Sequence, residues 1–311
     1  MGLMGEMRAL ILYNPHSGRG RGQRTAESVA AMLRSTGGTP TLLGTAKEPP
    51  DAFHARLRAA LAGQNLLIVA GGDGTLHHTL PSVVGSGVPL YHLAMGTENL
   101  FARQFAMDGS PATLERAVKA WRTLDIDVAT LTLDGDSPRP FVLMCSIGPD
   151  AGVIRRLDAA RSGPISHLSY VRPIVAELLA PSLPRLTVEV DGRKVIDDQP
   201  GMCVVANSRH YAMRIDPALN ASMTDGLLDV VFFPSAGRVS LAAWMLKSRF
   251  RKHLGKPLTY VSAGKVRITA PNHRGPAPAY QVDGECGRHT FPKGVELNID
   301  VVPKALKLLA P

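Results

Sequence analysis

The sequence predicts an α/β domain followed by a mostly antiparallel β domain, and three observations support this order. Short apolar runs alternate with amphipathic segments over the first third of the chain. From about Thr123 onward, hairpin signals and period-two alternation replace that pattern. The chain has 311 residues, which is more than one average domain needs. We therefore expect a boundary near residue 130, with domains at 1–130 and 131–303, and a tail at 304–311 that can pack back on the first domain.

The elements of the first domain follow from its apolar runs and from helix start and stop signals. Proline opens one predicted helix, and glycine ends both of them. Strands that alternate with helices predict a parallel sheet with both faces covered. In chain order the expected elements are a strand at 8–13, helices at 25–38 and 49–63, and strands at 65–71 and 89–95.

The second domain is predicted from short alternating segments separated by turn residues. Two helical insertions and one further helix interrupt this pattern. The expected β segments are 131–148, 185–198, 201–208, 226–233, 264–271 and 295–302, and the expected helices are 150–160, 166–180 and 237–253. The pattern shows no internal repeat and no low-complexity linker.

Composition limits the partners and the compartment. Lysine and arginine exceed aspartate and glutamate by 35 to 26, and the resulting charge of +9 favours anionic partners. The three cysteines lie far apart without metal-ligand spacing, which fits a reducing compartment. No apolar stretch approaches the roughly 20 residues of a membrane span, and the first apolar run is too short for a signal peptide. We expect a cytoplasmic protein whose contact with an anionic membrane surface is peripheral. No nucleic-acid partner is expected, because no recognition motif accompanies the charge.

Three glycine-containing polar stretches follow the three predicted strands of the first domain. Carboxyl ends of parallel strands share one edge of a sheet, where ligands of open α/β folds bind. Backbone N–H groups in glycine turns and at helix starts bind phosphate oxygens. The sequence therefore predicts a nucleotide site built from Asn14, Ser17 and Gly18 in "NPHSG", Gly71, Gly72, Asp73, Gly74 and Thr75 in "GGDGT", and Gly96, Thr97, Glu98 and Asn99 in "GTEN". A strand-to-helix turn in which Asp73 caps the helix is the alternative for the second stretch.

In this order and at these spacings, "NPHSG", "GGDGT" and "GTENLFAR" resemble the catalytic domain of the diacylglycerol kinase family, which includes bacterial lipid kinases and sphingosine and ceramide kinases. The resemblance continues through "DIDVATL", "CSIGPDAGVIRR", "TDGLLDVVFF" and "YQVDGEC" and covers nearly the whole chain. The resemblance implies an ATP-binding domain like those of phosphofructokinases and NAD kinases, followed by a β-sandwich lipid domain, with the site in the cleft between them. Glu98 and Leu100 depart from the "GTANDFA" of many bacterial members.

The same resemblance implies roles for individual residues. The three stretches would contact ATP, and Thr45 matches a threonine near the nucleoside. Asp283 matches the proposed base that removes the proton of the acceptor hydroxyl, with Glu285 on the same face if the segment is extended. Asp73 and Asp127 would hold Mg²⁺ or water near the γ-phosphate, and Asp127 is preferred over Asp125. A β-turn in a hairpin is the alternative for "DGE".

Two further features have a functional and a structural interpretation. The resemblance implies a structural Mg²⁺ bound by Asp225 and by carbonyl groups of Ser222 and Leu227, and the alternative is a turn before a strand. The helix at 237–253 ends in a basic run with Trp244, Leu246 and Phe250 interspersed, so it can lie on anionic lipid or be a solvated helix end.

The leading hypothesis is an ATP- and Mg²⁺-dependent lipid kinase that phosphorylates a hydroxyl of a membrane lipid, diacylglycerol-like or sphingoid. A NAD kinase shares the "GGDGT" turn but lacks support from "NPHSG" and "VDGE". A lipid- or nucleotide-binding protein without catalysis is the third hypothesis, although every carboxylate that the chemistry needs is present. The acceptor lipid and the oligomeric state stay open, and a homodimer is allowed.

Overall fold

The computed structural model describes residues 7–159, 167–253, 255, 257–274, 278–286 and 296–311. The chain divides into a first unit, Met1–Ile126 with Lys304–Pro311, and a second unit, Asp127–Pro303. Three ends of predicted elements, Ala160, Ser166 and Val295, lie outside the described residues.

The first unit is a parallel sheet with helices between its strands. The sheet has the order β2-β1-β3-β4, and Leu308 near the C-terminus pairs in parallel with Leu90 at its edge. The elements are β1 (Arg8–Tyr13), α1 (Ser17–Gly20), α2 (Gly22–Ser35), β2 (Thr39–Gly44), α3 (Pro50–Leu61), β3 (Leu66–Gly71), α4 (Asp73–Val83), β4 (Leu90–Ala94), α5 (Leu100–Gln104) and α6 (Pro111–Ala120).

Burial explains which of these strands the sequence revealed. Every residue of the central strand β3 is buried, and its apolar run predicted it. The edge strand β2 was not predicted, because it contains Pro40 and has no buried residue. Edge strands are commonly polar or contain proline, since one side of their backbone meets no neighbour.

The second unit is mostly antiparallel β. Two long strands, β5 and β15, contribute residues to both units. The elements that follow α6 are β5 (Arg122–Leu133), β6 (Arg139–Phe141), β7 (Met144–Ile147), α7 (Pro149–Ala159), α8 (Val171–Leu179), β8 (Arg185–Val190), β9 (Arg193–Ala206), β10 (Leu228–Pro234), α9 (Arg238–Arg249), β11 (Thr259–Ala263), β12 (Lys265–Thr269), β13 (Tyr280–Val282), β14 (Glu285–Cys286) and β15 (Leu297–Ala310).

The strand β9 joins two runs of antiparallel strands. Its first half pairs with β8, which continues through β12 to β15. Its second half lies between β10 and β7, with β11 beyond β10, and with β13 and β14 beyond β7. The main core of the unit takes side chains from both runs, among them Val188, Ile268, Val205, Phe232 and Ile299.

Both faces of the sheet around β9 and β10 are buried. Val205 and Phe232 point into the main core, whereas their neighbours Val204 and Phe233 belong to a second cluster that includes Trp244 of α9. Because successive side chains of a strand point to opposite faces, β9 and β10 contribute side chains to both clusters. The helix α9 covers the face that the main core does not use. Within the described ranges, no helix is long and apolar enough to cross a membrane.

Gly22 is required where α2 begins beside the loop after β1. A Cβ atom at this position would lie 1.9 Å from the carbonyl oxygen of Asn14, so the backbone must move to admit it. We expect Gly22→Ala to lower the free energy of unfolding by about 1–3 kcal/mol in denaturant titrations, as overpacking does. Gly237→Ala is the matched control, because a Cβ atom there meets nothing within 4 Å. Equal midpoints for the two variants would contradict the predicted backbone clash.

Candidate active site

Main-chain hydrogen bonds join the loops that follow β1, β3 and β4. The N–H of Gly18 donates to the carbonyl of Met95 over 3.1 Å, and the N–H of Met95 donates to the carbonyl of Gly71 over 2.8 Å. The N–H of Asn14 donates to the carbonyl of Ala70 over 3.1 Å. The three predicted polar stretches therefore meet at one edge of the sheet. Met95, which connects two of them, was missed by the sequence analysis because nothing in its residue type indicates this role.

The backbones of the second and third loops approach too closely for any side chain. A Cβ atom on Gly96 would lie 2.8 Å from the Cα atom of Gly72. A Cβ atom on Gly71 would lie 2.5 Å from the side chain of Thr75. Glycine at these positions therefore lets two loops share one small volume at the strand ends.

The N-terminus of α4 is a suitable site for an anion. Gly72 is its N-cap residue, and no described side chain caps this end. The first N–H groups of a helix have no partner within the helix, and the helix dipole adds partial positive charge there. Thr75 lies in this first turn, and the Nδ2 atom of Asn14 is 3.5 Å from its Oγ1 atom. Gly74 also belongs to this turn. A phosphate group bound here would meet N–H, amide and hydroxyl donors together.

Asp73 connects α4 to α5. Its Oδ2 atom accepts the N–H of Leu100 over 2.9 Å, and its Oδ1 atom accepts the N–H of Phe101 over 3.2 Å. The alternative in which Asp73 caps its own helix is therefore wrong, because the carboxylate binds the start of the next helix instead. A carboxylate is well suited to this position, since N–H groups at a helix start favour negative charge.

Asn99 shapes the third loop. It adopts a left-handed conformation with φ of 48°, and its side chain binds both the N–H and the carbonyl of Gly96, at 2.7 and 2.8 Å. Glu98 forms an ion pair with Arg103 over 3.6 Å, and Thr97 is exposed. Asparagine tolerates this backbone region better than most residues, which explains its place in the motif.

The other predicted nucleotide residues of the first unit lie in the neighbouring loops. The N–H of Ser17 donates to the carbonyl of Asn14 over 3.0 Å. Thr45 follows β2, and its N–H donates to the carbonyl of Tyr13 over 2.8 Å. Beneath the second loop, the buried His92 places Nε2 3.0 Å from the carbonyl oxygen of Gly71, and burial lowers the pKa of this histidine.

The remaining predicted residues lie in the second unit, where Asp127 is held at the start of the unit. Its side chain is 1% exposed, and its Oδ2 atom accepts the N–H of Gly226 over 2.7 Å. The buried Asn207 donates to the carbonyls of Asp127 and Val142, at 2.9 and 3.0 Å. Asp125 instead forms an ion pair with Lys307 over 3.7 Å. Asn207 was missed because a lone asparagine near a strand end carries no specific signal.

Asp283 and Gly284 form the turn between β13 and β14, with φ of 53° and 82°. Positive φ at both central residues is typical of type I′ hairpin turns, for which Asp-Gly is favoured. The segment is therefore not extended at Asp283, so the condition under which Asp283 and Glu285 would share one face is not met, and "DGE" forms a hairpin turn.

The carboxylate of Asp283 holds a neighbouring loop. It is 5% exposed and accepts three main-chain N–H groups, from Val142, Leu143 and Met144, at 2.7–3.1 Å. An ionised carboxylate has about four acceptor positions, so at most one remains for a substrate hydroxyl.

The loop that contains Ser222, Asp225 and Leu227 has only oxygen ligands to offer a cation. The Oδ1 atom of Asp225 accepts the N–H of Leu227 over 3.0 Å, and Ser222 accepts the N–H of Thr224 over 3.3 Å. Within the described part of the chain, no group of three histidine, cysteine or acidic side chains could hold a metal ion. A cation here would need main-chain carbonyls and water besides Asp225, a donor set that suits Mg²⁺.

A cavity in the second unit was not predicted in detail. Its walls come from α7, α8, α9 and the strand pair β9–β10, and they are mostly apolar: Ile154, Ile174, Leu178, Met202, Phe233 and Trp244 are examples. Trp244 is buried and donates to the carbonyl of Pro234 over 2.9 Å, so it does not belong to the exposed face of α9 that could lie on anionic lipid. Apolar pockets with few polar groups are typical of ligand sites.

Comparisons with known proteins agree with this architecture. The diacylglycerol kinase catalytic domain model matches residues 8–131, and the model of the YegS C-terminal NAD kinase beta sandwich-like domain matches residues 144–310. A diacylglycerol kinase of Mycobacterium tuberculosis is 27% identical over 304 residues, which cover 96% of this chain and 94% of that protein. A diacylglycerol kinase of Bacillus subtilis is 24% identical over 288 residues, which cover 90% of each chain.

Structural comparison confirms the predicted fold class. A crystal structure of a diacylglycerol kinase from Bacillus anthracis superposes with a TM-score of 0.71 at 20% identity, covering 98% of this chain and 97% of that one. The two family models match consecutive segments, and the second alone spans more than half of the 311 residues. The chain therefore belongs to the diacylglycerol kinase family and is a lipid kinase.

Proposed function

We propose that the enzyme transfers the γ-phosphoryl group of ATP to a hydroxyl of a membrane lipid, diacylglycerol-like or sphingoid. The first unit binds ATP through the three joined loops, and the second unit binds the acyl chains in its apolar cavity. The observation that carries the nucleotide assignment is the N-terminus of α4, which lies where these loops meet. The cavity supports the lipid assignment, because its walls offer little to a polar acceptor.

Mg²⁺ is the proposed accompanying ion, because carboxylate oxygens are donors that suit it. Asp73 and Asp127 are the carboxylates proposed for it. Asp73 accepts two main-chain N–H groups and Asp127 accepts one, which orients their oxygens. When bound, Mg²⁺ neutralises charge on the phosphate groups during transfer. Asp225, with the carbonyls of Ser222 and Leu227, is the proposed second site with a structural role.

Asp283 and Glu285 remain the two proposed groups for proton removal. The three N–H donors around Asp283 fix the orientation of its carboxylate, as a base requires. Glu285 lies directly after the turn on β14 and is partly exposed. Substitution of Asp283 should therefore lower the free energy of unfolding more than substitution of Glu285, and denaturant titrations measure this difference.

A surface formed by α8 and the end of α9 supports peripheral binding to an anionic membrane. Val171, Val175 and Leu179 repeat every four residues along α8 and are 49–67% exposed. Leu246 and Phe250 are 62% and 63% exposed at the end of α9. The buried faces of the same helices line the cavity. We propose that this surface, which we call the α8–α9 face, lies on the cytoplasmic leaflet and admits the lipid.

Exposed cations flank the α8–α9 face. Arg249 and Lys252 are exposed beside Phe250. Arg251 pairs instead with the buried carboxylate of Asp216 over 2.9 Å, so its replacement would disturb the fold as well as the charge. A face that combines apolar side chains with cations suits the boundary between head groups and acyl chains.

The proposed reaction can be tested with labelled ATP and thin-layer analysis of diacylglycerol, monoacylglycerol, ceramide, sphingosine and phosphatidylglycerol. We expect at least one labelled lipid product and no labelled NADP⁺ from NAD⁺. Asp73→Asn should lower the rate by about 10²-fold or more, because an NH₂ group replaces one of the two oxygens that accept N–H groups or bind Mg²⁺. Asp125→Asn is the matched control and should keep the rate. NADP⁺ as the only product would replace the proposal with a NAD kinase, and no transfer at all would favour a binding protein.

Two substitutions separate the roles of Asp283 and Glu285. Asp283→Asn should lower the rate by about 10²–10⁴-fold and leave the ATP affinity nearly unchanged. It should also lower the free energy of unfolding by about 1–3 kcal/mol, because an amide nitrogen then faces main-chain N–H groups. Glu285→Gln should leave stability unchanged. Rates, calorimetric ATP binding and denaturant titrations check both variants. A tenfold loss of ATP·Mg²⁺ affinity in Asp283→Asn, reversed by excess Mg²⁺, would assign Asp283 to metal binding instead.

Membrane binding by the α8–α9 face predicts a salt-sensitive defect in a charge variant. The double variant Arg249→Gln/Lys252→Gln should bind anionic vesicles more weakly, by up to about 1 kcal/mol per charge, and the difference should shrink at high salt. Arg193→Gln/Lys194→Gln removes the same charge from the exposed β8–β9 hairpin and should bind like the wild type. Equal losses for the two double variants in vesicle sedimentation would show that net charge alone matters.

A further inference from the structure

The cavity of the second unit contains two carboxylates among its apolar walls, Asp150 of α7 and Glu177 of α8. Glu177 is 1% exposed and both its oxygens have partners. Arg156 donates to Oε2 over 3.1 Å, and the N–H of Ser182 donates to Oε1 over 2.7 Å. Glu177 is thus a neutralised structural group of the wall.

Asp150 is arranged differently. Ser146 donates to its Oδ2 atom, and the Nε2 atom of Gln281 donates to the same oxygen over 3.1 Å. Among the described residues no cation pairs with Asp150, and both of its hydrogen bonds go to Oδ2. The Oδ1 atom is left for a group inside the cavity that Asp150 lines. Burial raises the pKa of Asp150 to about 6, although both hydrogen bonds favour the carboxylate.

The partners of Asp150 connect it to the turn that carries the proposed base. The Nε2 atom of Gln281 also donates to Ser146 over 2.9 Å, and the Oε1 atom of Gln281 accepts the N–H of Gly284 over 2.7 Å. Gln281 therefore uses its whole amide to hold Asp150, Ser146 and the Asp283–Gly284 turn in one arrangement. A lipid group bound to Oδ1 would be placed at a fixed position relative to that turn.

We propose that Asp150 selects the acceptor lipid by accepting a hydrogen bond at Oδ1 from a hydroxyl or ammonium group of the head group, and by repelling anionic head groups. The proposal rests on the proposed function, because it assumes that the cavity holds the acceptor. It defines the substrate class as uncharged or cationic lipids with a free hydroxyl. A carboxylate in an apolar wall discriminates strongly, since an unpaired or repelled charge is costly in a region of low dielectric constant.

The test measures lipid binding and phosphorylation in the full chain. The probes are dioctanoylglycerol, sphingosine and dioctanoyl phosphatidylglycerol, each with a bromine-labelled counterpart that quenches the fluorescence of Trp244 in the cavity wall. We expect the wild type to bind the first two and to reject the third. Asp150→Asn keeps the size of the side chain and an oxygen for Ser146 and Gln281. For this variant we compare the affinity and the kcat/KM for phosphatidylglycerol with those for dioctanoylglycerol. Both ratios should rise about tenfold or more relative to the wild type, and the KM for ATP should be unchanged.

Glu177→Gln is the matched control, because it removes a carboxylate from the same wall whose two oxygens both have protein partners. It should change stability without changing the lipid ratio. The proposal fails if Asp150→Asn keeps the wild-type ratio, or if Glu177→Gln shifts the ratio equally. If Asp150→Asn does not fold, the wild type decides, and binding of phosphatidylglycerol as tight as that of dioctanoylglycerol overturns the proposal. Selective binding without phosphate transfer would support the role of Asp150 while contradicting the proposed reaction.

Discussion

The carboxylates of Asp73, Asp127 and Asp283 each accept at least one main-chain N–H group from a residue far away in the sequence, and within each unit the loops around these acids depend on this interaction. A hydrogen bond to an ionised carboxylate is shorter and stronger than one between neutral groups. A buried N–H group that loses its partner costs about 1–3 kcal/mol. Each of these acids therefore stabilises the loop whose N–H groups it accepts.

These aspartates hold a loop by accepting its N–H groups, and they are also the proposed functional carboxylates. In the first unit Asp73 binds the start of α5 while it lies at the N-terminus of α4. In the second unit Asp283 binds three successive N–H groups from the turn between β13 and β14. Orientation by backbone donors reduces the number of positions that a carboxylate oxygen can occupy, and such preorganisation favours catalysis. Loss of activity on substitution is then coupled to loss of stability, and only separate measurements of both distinguish chemistry from support.

The second unit shows how a β-sheet provides one wall of an apolar cavity. The strands β9 and β10 are buried on both faces, so one face builds the main core and the other lies under α9. The helices α7, α8 and α9 complete the cavity on that second face. Two carboxylates belong to this apolar wall, and their hydrogen bonds differ: Glu177 pairs with Arg156, whereas both hydrogen bonds of Asp150 go to one oxygen. The contrast suits a pocket that holds acyl chains and recognises one polar group.

The sequence by itself determined the family, the order of the two folds and the glycine loops. These features depend on local patterns: the apolar run of β3, the turn residues of "GGDGT" and "VDGE", and the hairpin alternation after residue 123. The tertiary structure decided what the acidic side chains bind, because Asp73 and Leu100, or Asp283 and Val142, meet only after chain segments far apart in sequence have packed. It also decided that Trp244 lies in the cavity wall and that Ser146, Asp150 and Gln281 are in hydrogen-bond contact. Hydrogen-bond partners across 27 to 141 residues leave no trace in local periodicity, since any polar side chain of similar size satisfies the same pattern.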